Sequence, residues 1–152
     1  MEIKKLDLID CHNRIKPFIH NTPVLTSSYI NELTEAEVYF KCENFQKMGA
    51  FKMRGAANAI LRLSDEQKSN GVVTHSSGNH AQAISLAAKK IGIKAYIVMP
   101  SNAPEIKKEA VKGYGGELIE CKPNLEAREA AAEDVVNSKS ATFIHPSNNM
   151  DV

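Results

Sequence analysis

Two short runs in this chain hold residue types that do chemistry in groups. The first is Thr74-His75-Ser76-Ser77-Gly78-Asn79-His80. Its hydroxyls, amide and imidazoles are short donors and acceptors able to converge on one ligand. If a helix starts there, its free N–H groups and dipole favour a carboxylate or a phosphate. A Ser/Asn helix cap accounts for one such residue, but not for so many in succession. The second run is Gly49-Ala50-Phe51-Lys52-Met53-Arg54. Apolar neighbours on both sides of Lys52 would desolvate its amine, lower its pKa and expose a neutral nucleophile suited to Schiff-base formation. Arg54 points the other way, towards a polar edge where a lysine is an ordinary solvated group.

The remaining candidates are weaker. His12, His20, His75, His80 and His145 show no metal-ligand spacing, and neither HExxH nor CxxC occurs, so no metal site built from this chain is expected. No GxGxxG or GxxxxGK[ST] is present; Gly113, Gly115 and Gly116 read as a chain reversal. Cys11, Cys42 and Cys121 are odd in number and far apart, which predicts buried free thiols rather than a disulfide framework. The charges from Glu126 to Asp134 read as a solvated helix face.

The elements that must position these runs follow from pattern and breakers. Short strands are predicted at 72–75, 95–99, 117–121 and 141–144, with helices at 79–91, about 104–113 and 125–136 in the gaps. Such spacing is too wide for hairpins and makes βαβ units in a parallel sheet. Ser76–His80 then falls at the carboxyl edge of that sheet, where open α/β folds bind ligands. Upstream, Leu6, Ile9 and Ile15 suggest a first helix, Ser27 or Ser28 caps a short one to Leu33, 38–42 is a strand, and Met53 to Leu63 is a helix. A lone strand there leaves its backbone groups unpaired, so this segment needs a partner sheet. The fold class expected is α/β: a small parallel-sheet βαβ domain in three layers, plus the N-terminal segment of an incomplete larger α/β domain. The boundaries are 1–65 for that segment, 66–148 for the small domain and 149–152 for a truncated connection back. The end at Asp151-Val152, just after a loop, reads as a chain cut short.

Composition bounds the function. The 152 residues are 43% hydrophobic and 24% charged, as in ordinary globular domains. Lys+Arg 19 against Asp+Glu 18 leaves a net charge of +1, so no basic field points to nucleic acid or an anionic membrane. Charges among the first twenty residues leave no signal-peptide core, and no apolar run is long enough to suggest a membrane span. A cytoplasmic location is the default expectation.

Together, Gly49-Ala50-Phe51-Lys52-Met53-Arg54-Gly55-Ala56 and Ser76-Ser77-Gly78-Asn79-His80-Ala81-Gln82-Ala83 resemble the fold-type II pyridoxal-phosphate enzymes, most closely the serine racemase and serine/threonine dehydratase family. The resemblance covers nearly the whole chain, from Thr22-Pro23-Val24-Leu25 to His145-Pro146. It implies that Lys52 holds the cofactor as a Schiff base, that Phe51 lies beside the cofactor ring and that Asn79 hydrogen-bonds the ring oxygen. It implies that Ser76, Ser77, Gly78, Asn79 and His80 grip a substrate carboxylate, and that Ser77 is a second acid/base opposite Lys52, which tilts towards racemase activity. Ala50 stands where serine is frequent in the family. Ser27, Ser28, Lys47, Gln82 and Tyr114 match positions that bind a nucleotide at a subunit interface in racemases, although Tyr29 replaces a smaller residue beside them. In the family the glycine-rich phosphate loop, the partner of the pyridine nitrogen and the metal ligands lie downstream of the stretch present here. The expected activity is that of a serine racemase or L-serine/L-threonine ammonia-lyase, homodimeric when complete, with Mg and ATP as effectors. The chain alone is expected to be weak or inactive. The alternative is a non-catalytic truncated α/β binding module or a fragment of a broken gene.

Overall fold

The computed structural model describes residues 5–152, without the side chains of the first two, so the apolar spacing expected from Leu6 lies outside the described residues. The first helix, α1 (Lys5–Ile15), buries Ile15 but leaves Leu8 and Ile9 exposed, and a 3-10 turn carrying Pro17 ends it. Next come β1 (Val24–Leu25), α2 (Ser28–Thr34) and β2 (Phe40–Lys41). Ser27 caps α2 by accepting from the Ile30 amide. The strand expected at 38–42 is reduced to β2, and it is not alone: β1 pairs with it antiparallel, Val24 opposite Lys41 and Leu25 opposite Phe40. Two residues are too few for periodicity to reveal β1.

Helix α3 (Lys52–Leu61) is followed by a helix not expected, α4 (Asp65–Asn70). Ser64 and Gln67 form a reciprocal capping box there, a signature present in the sequence. The regular half then runs β3 (Val72–His75), α5 (Asn79–Ile91), β4 (Ala95–Pro100), α6 (Glu105–Gly113), β5 (Glu117–Cys121), α7 (Leu125–Lys139) and β6 (Thr142–Phe143). All pairings are parallel, in the order β5-β4-β3-β6. Pro100 closes β4 inside the ladder, and Pro104 stands at the N-cap of α6 rather than in its first turn.

β3 and β4 are buried on both faces, which accounts for their nearly continuous apolar runs. On one face, Val72, Ile97 and Met99 join Ile84 and Ala87 of α5 and Met53, Ala56 and Ile60 of α3 in a single core. On the other, Val73, Tyr96 and Val98 pack against Ala132 and Val135 of α7. The two halves of the chain therefore meet through small side chains on the facing surfaces of α3 and α5. This contact sets Lys52 and the Ser76–His80 loop against each other.

Candidate functional site

Lys52 opens α3, and the chain before it is shaped by a buried amide. Gln46 Oε1 accepts from the His20 and Lys47 amides (2.7 and 2.9 Å), and its Nε2 donates to the His20 carbonyl at 2.9 Å. Beyond it Met48 and Gly49 take positive φ (56° and 74°), turning the chain into α3. Within the first turn of α3, Arg54 grips both carboxylate oxygens of Glu43 at 2.7 and 2.8 Å, while the Thr22 hydroxyl donates to the same carboxylate. The guanidinium bonds, opposed by burial, bring the Glu43 carboxyl down to about 2. Sequence reasoning took Arg54 for a polar edge and missed Thr22, Glu43 and Gln46. Nothing in their local spacing announces a network that spans thirty-odd residues.

The Lys52 side chain is half-buried, and its environment is not the apolar sandwich expected. Phe51 is 58% exposed and Met53 points into the core. Lys52 Nζ donates to the Pro146 carbonyl at 2.7 Å and lies 5.6 Å from the centroid of the Phe51 ring. Pro146 belongs to a strap that leaves β6 and crosses the starts of α5 and α3. His80, 3% exposed, approaches the Ile144 carbonyl through Nε2 at 3.4 Å, so Nε2 carries the proton and the buried Nδ1 has no partner among the described residues. The His145 Nδ1 accepts from the Ser147 and Asn148 amides at 3.1 and 2.8 Å. Farther along, Asp151 pairs with Arg62 at 3.0 Å and accepts from Asn58 through its carbonyl at 2.9 Å. Burial lowers the His80 imidazole to about 4; the bond to Ile144 opposes this, and the charges of Lys52, His145 and His75 reinforce it.

Ser76–His80 lies at the carboxyl edge of the sheet, between β3 and α5. The Ser/Asn cap that sequence alone leaves open is not what forms. Gly78 is the N-cap of α5 and no side chain caps the helix. Among the described residues, Ser76 Oγ accepts from the Gly78 amide alone, at 3.3 Å. The amides of Ser77, Asn79, His80 and Ala81 find no acceptor among the described residues, and a Cβ placed on Gly78 would meet nothing within 4 Å. Ser77 is half-buried and Asn79 exposed. This is an uncapped, open helix start of the kind that receives an anion. The Lys52 charge acts on His80 across the same space. An amine beside an aromatic ring, an exposed amide and a free helix start are the donors that an aldehyde-bearing aromatic cofactor and an amino-acid carboxylate require, so the residues present fit both.

Ser27 is engaged as the cap of α2, Lys47 faces Lys90 of α5, Gln82 is buried in α5, and Tyr114 follows α6. The three cysteines are free and half-buried rather than buried. No group of three His, Cys, Asp or Glu able to hold a metal occurs among the described residues. Arg128 departs from the solvated face expected of α7: it is half-buried and close enough to His75 and Cys121 to act on both. No helix among the described residues is long and apolar enough to cross a membrane.

A family profile described as "Pyridoxal-phosphate dependent enzyme" matches residues 15–152. The serine racemase of Dictyostelium discoideum is 53% identical over 146 residues, 96% of this chain and 45% of that protein. The β-hydroxyaspartate dehydratase of Paracoccus denitrificans is 51% identical over 142 residues, 93% of this chain and 45% of its own length. Among solved structures, the Dictyostelium discoideum serine racemase superposes with a TM-score of 0.92 at 52% identity, over 96% of this chain and 48% of that one. The processed form of threonine deaminase isoform 2 from Solanum lycopersicum does so with a TM-score of 0.84 at 27% identity, over 98% and 45%. The chain thus spans less than half the length of these relatives.

Proposed function

The chain belongs to the pyridoxal-phosphate dependent enzyme family, and from that premise we propose that it is the amino-terminal part of a serine racemase or L-serine/L-threonine ammonia-lyase. The observation that carries this reading is the uncapped start of α5 set against Lys52 across a shared core. Bound pyridoxal phosphate supplies an electron sink that makes the α-proton of an attached amino acid acidic. Lys52 is the residue to hold it, with Phe51 beside its ring and Asn79 on its ring oxygen. Once the substrate amine has taken its place on the cofactor, the freed Lys52 Nζ would take the α-proton of serine from one face. Ser76, Ser77, Gly78, Asn79 and His80 form the loop that holds the substrate carboxylate, with the Ser77, Asn79 and His80 amides free to donate to it, aided by the helix dipole. The Ser77 hydroxyl delivers a proton to the opposite face for racemisation; loss of the β-hydroxyl gives the ammonia-lyase outcome instead. The neutral His80 keeps a second positive charge out of the space that Lys52 occupies.

Residues 1–65 belong, on this reading, to the large cofactor-binding domain, 66–148 to the small domain and 149–152 to the connection between them. A homodimer, with magnesium and ATP as effectors and the nucleotide near Ser27, Ser28, Lys47, Gln82 and Tyr114, is part of the same proposal for the complete protein. The test is to add pyridoxal phosphate to the chain together with a complementing carboxy-terminal half, reduce with borohydride and map the label. A pyridoxyl group on Lys52 supports the assignment; a label on another lysine, or undiminished labelling of Lys52→Ala, overturns it. In the active form, Ser77→Ala should cut D-serine formation about 100-fold or more while sparing pyruvate formation; an equal loss of both removes Ser77 from its role. The competing reading, a non-catalytic α/β module, predicts no cofactor linkage in that preparation.

A further inference from the structure

The α7 face of the small sheet carries a cleft of about 310 Å³ that takes no part in the Lys52 chemistry. Val136 of α7 and Phe143 of β6 supply an apolar floor, and His75 and His145 form the wall. The three rings stand as a corner. His75 and Phe143 have centroids 5.4 Å apart, and His145 meets them edge-on at 5.8 and 5.9 Å, turned by 80° and 84°. Of the three, the Phe143 ring carries the negative face that attracts a cation.

The rim is acidic. Glu129 and Glu133 are one helical turn apart on α7, both exposed, and neither forms an ion pair among the described residues. Like charges at this spacing repel, and a cation seated between them relieves the repulsion. At His75 the charge of Arg128 disfavours a positive charge and that of Glu129 favours it, so the glutamate pair supplies the attraction for the cation. The histidines and glutamates do not converge as metal ligands, while the apolar floor and the volume suit an organic body of ring size.

We propose that this cleft is a second small-molecule site, which binds an organic ammonium ion carrying an apolar, ring-sized group. Its occupant bears on the other site without touching Lys52, because His75 directly precedes Ser76 and His145 directly precedes Pro146. The His145 imidazole also caps the turn that follows the Pro146 carbonyl. The proposal does not depend on the cofactor reading.

The test is a heteronuclear NMR titration of the cofactor-free chain at pH about 8, with phenethylamine and with phenethyl alcohol, which has the same shape without the charge. The ammonium should shift the His75 and His145 ring signals and the Val136 methyls saturably, and bind about 5-fold or more tightly than the alcohol. The double variant Glu129→Gln/Glu133→Gln changes only exposed side chains and keeps the amide spectrum; it should bring the ammonium down to the level of the alcohol. Lys52→Ala should keep the preference for the ammonium over the alcohol. Equal affinities for the two probes, a double variant that binds as the parent does, or a response confined to the Ser77–Asn79 amides would overturn the proposal.

Discussion

His80 joins the two ends of the candidate site: its Nε2 holds Ile144 on the strap, and its own helix start faces Lys52. Its imidazole titrates at about 4 in the folded chain, against 6.5 for an unperturbed group. A folded pKa below the unfolded one means that the unfolded state binds the extra proton first. The stabilisation is therefore complete above about pH 6.5 and is lost as pH falls through 6.5 towards 4. Glu43, held at about 2, behaves alike in a lower window, from about 4.5 down. Between pH 6.5 and 4.5 His80 carries most of the slope, with His75, also lowered by burial, adding a share of the same sign. Denaturant unfolding should show a loss of about 1–3 kcal/mol between pH 7 and 4.5. His80→Asn should flatten that slope, and a variant with the parent's slope would show that the imidazole is not the group responsible.

At the scale of elements, the turn between α6 and β5 shows why adjacent glycines are not equivalent. Gly115 takes φ +88°, a conformation only glycine adopts at no cost. Gly116 has no such φ but no room either: a Cβ would run into Ser85 Oγ and come within 2.9 Å of Val111 and 3.0 Å of Ile97. Its partners come from α5, α6 and β4, so an added methyl must push three elements apart. Gly116→Ala should cost about 1–3 kcal/mol, read as a lowered unfolding midpoint. Gly113→Ala, at the end of α6 with nothing within 4 Å, should be neutral or stabilising by a few tenths. A neutral Gly116→Ala would mean that the three elements yield freely. The same reasoning explains why the turn, read from sequence as a simple reversal, is a packing joint.

In the whole molecule, burial is unevenly distributed. β3 and β4 are covered on both faces, whereas Val24, Leu25, Tyr29, Tyr39, Phe40, Phe45 and Phe51 are all exposed. An antiparallel ribbon of two-residue strands with both faces open contributes little stability by itself. Amide hydrogen exchange should therefore be slowest in β3 and β4 and near the local-opening limit in β1 and β2. On the proposed domain division, adding a carboxy-terminal half should slow exchange in β1 and β2 without altering β4. Equal protection of the ribbon and β4 in the chain alone would show that the amino-terminal segment needs no further sheet.

The sequence by itself determined the βαβ half and the two chemical runs. Those elements are local: alternating breakers, helix periods and short apolar strands act within twenty residues, and the motifs at Lys52 and Ser76–His80 are contiguous. It did not disclose the pairing of Val24–Leu25 with Phe40–Lys41, the Thr22–Glu43–Arg54 network, the Gln46 staple or the half-buried Arg128. Each depends on partners far away in the chain, with side chains whose types are common anywhere. Only the tertiary structure decided that no side chain caps α5, that Lys52 reaches the Pro146 carbonyl, and that His75, Phe143 and His145 stand as one corner. Packing of α3 on α5, and of α7 on the opposite face of the sheet, brings these groups together, and that packing is settled by the summed fit of many small side chains.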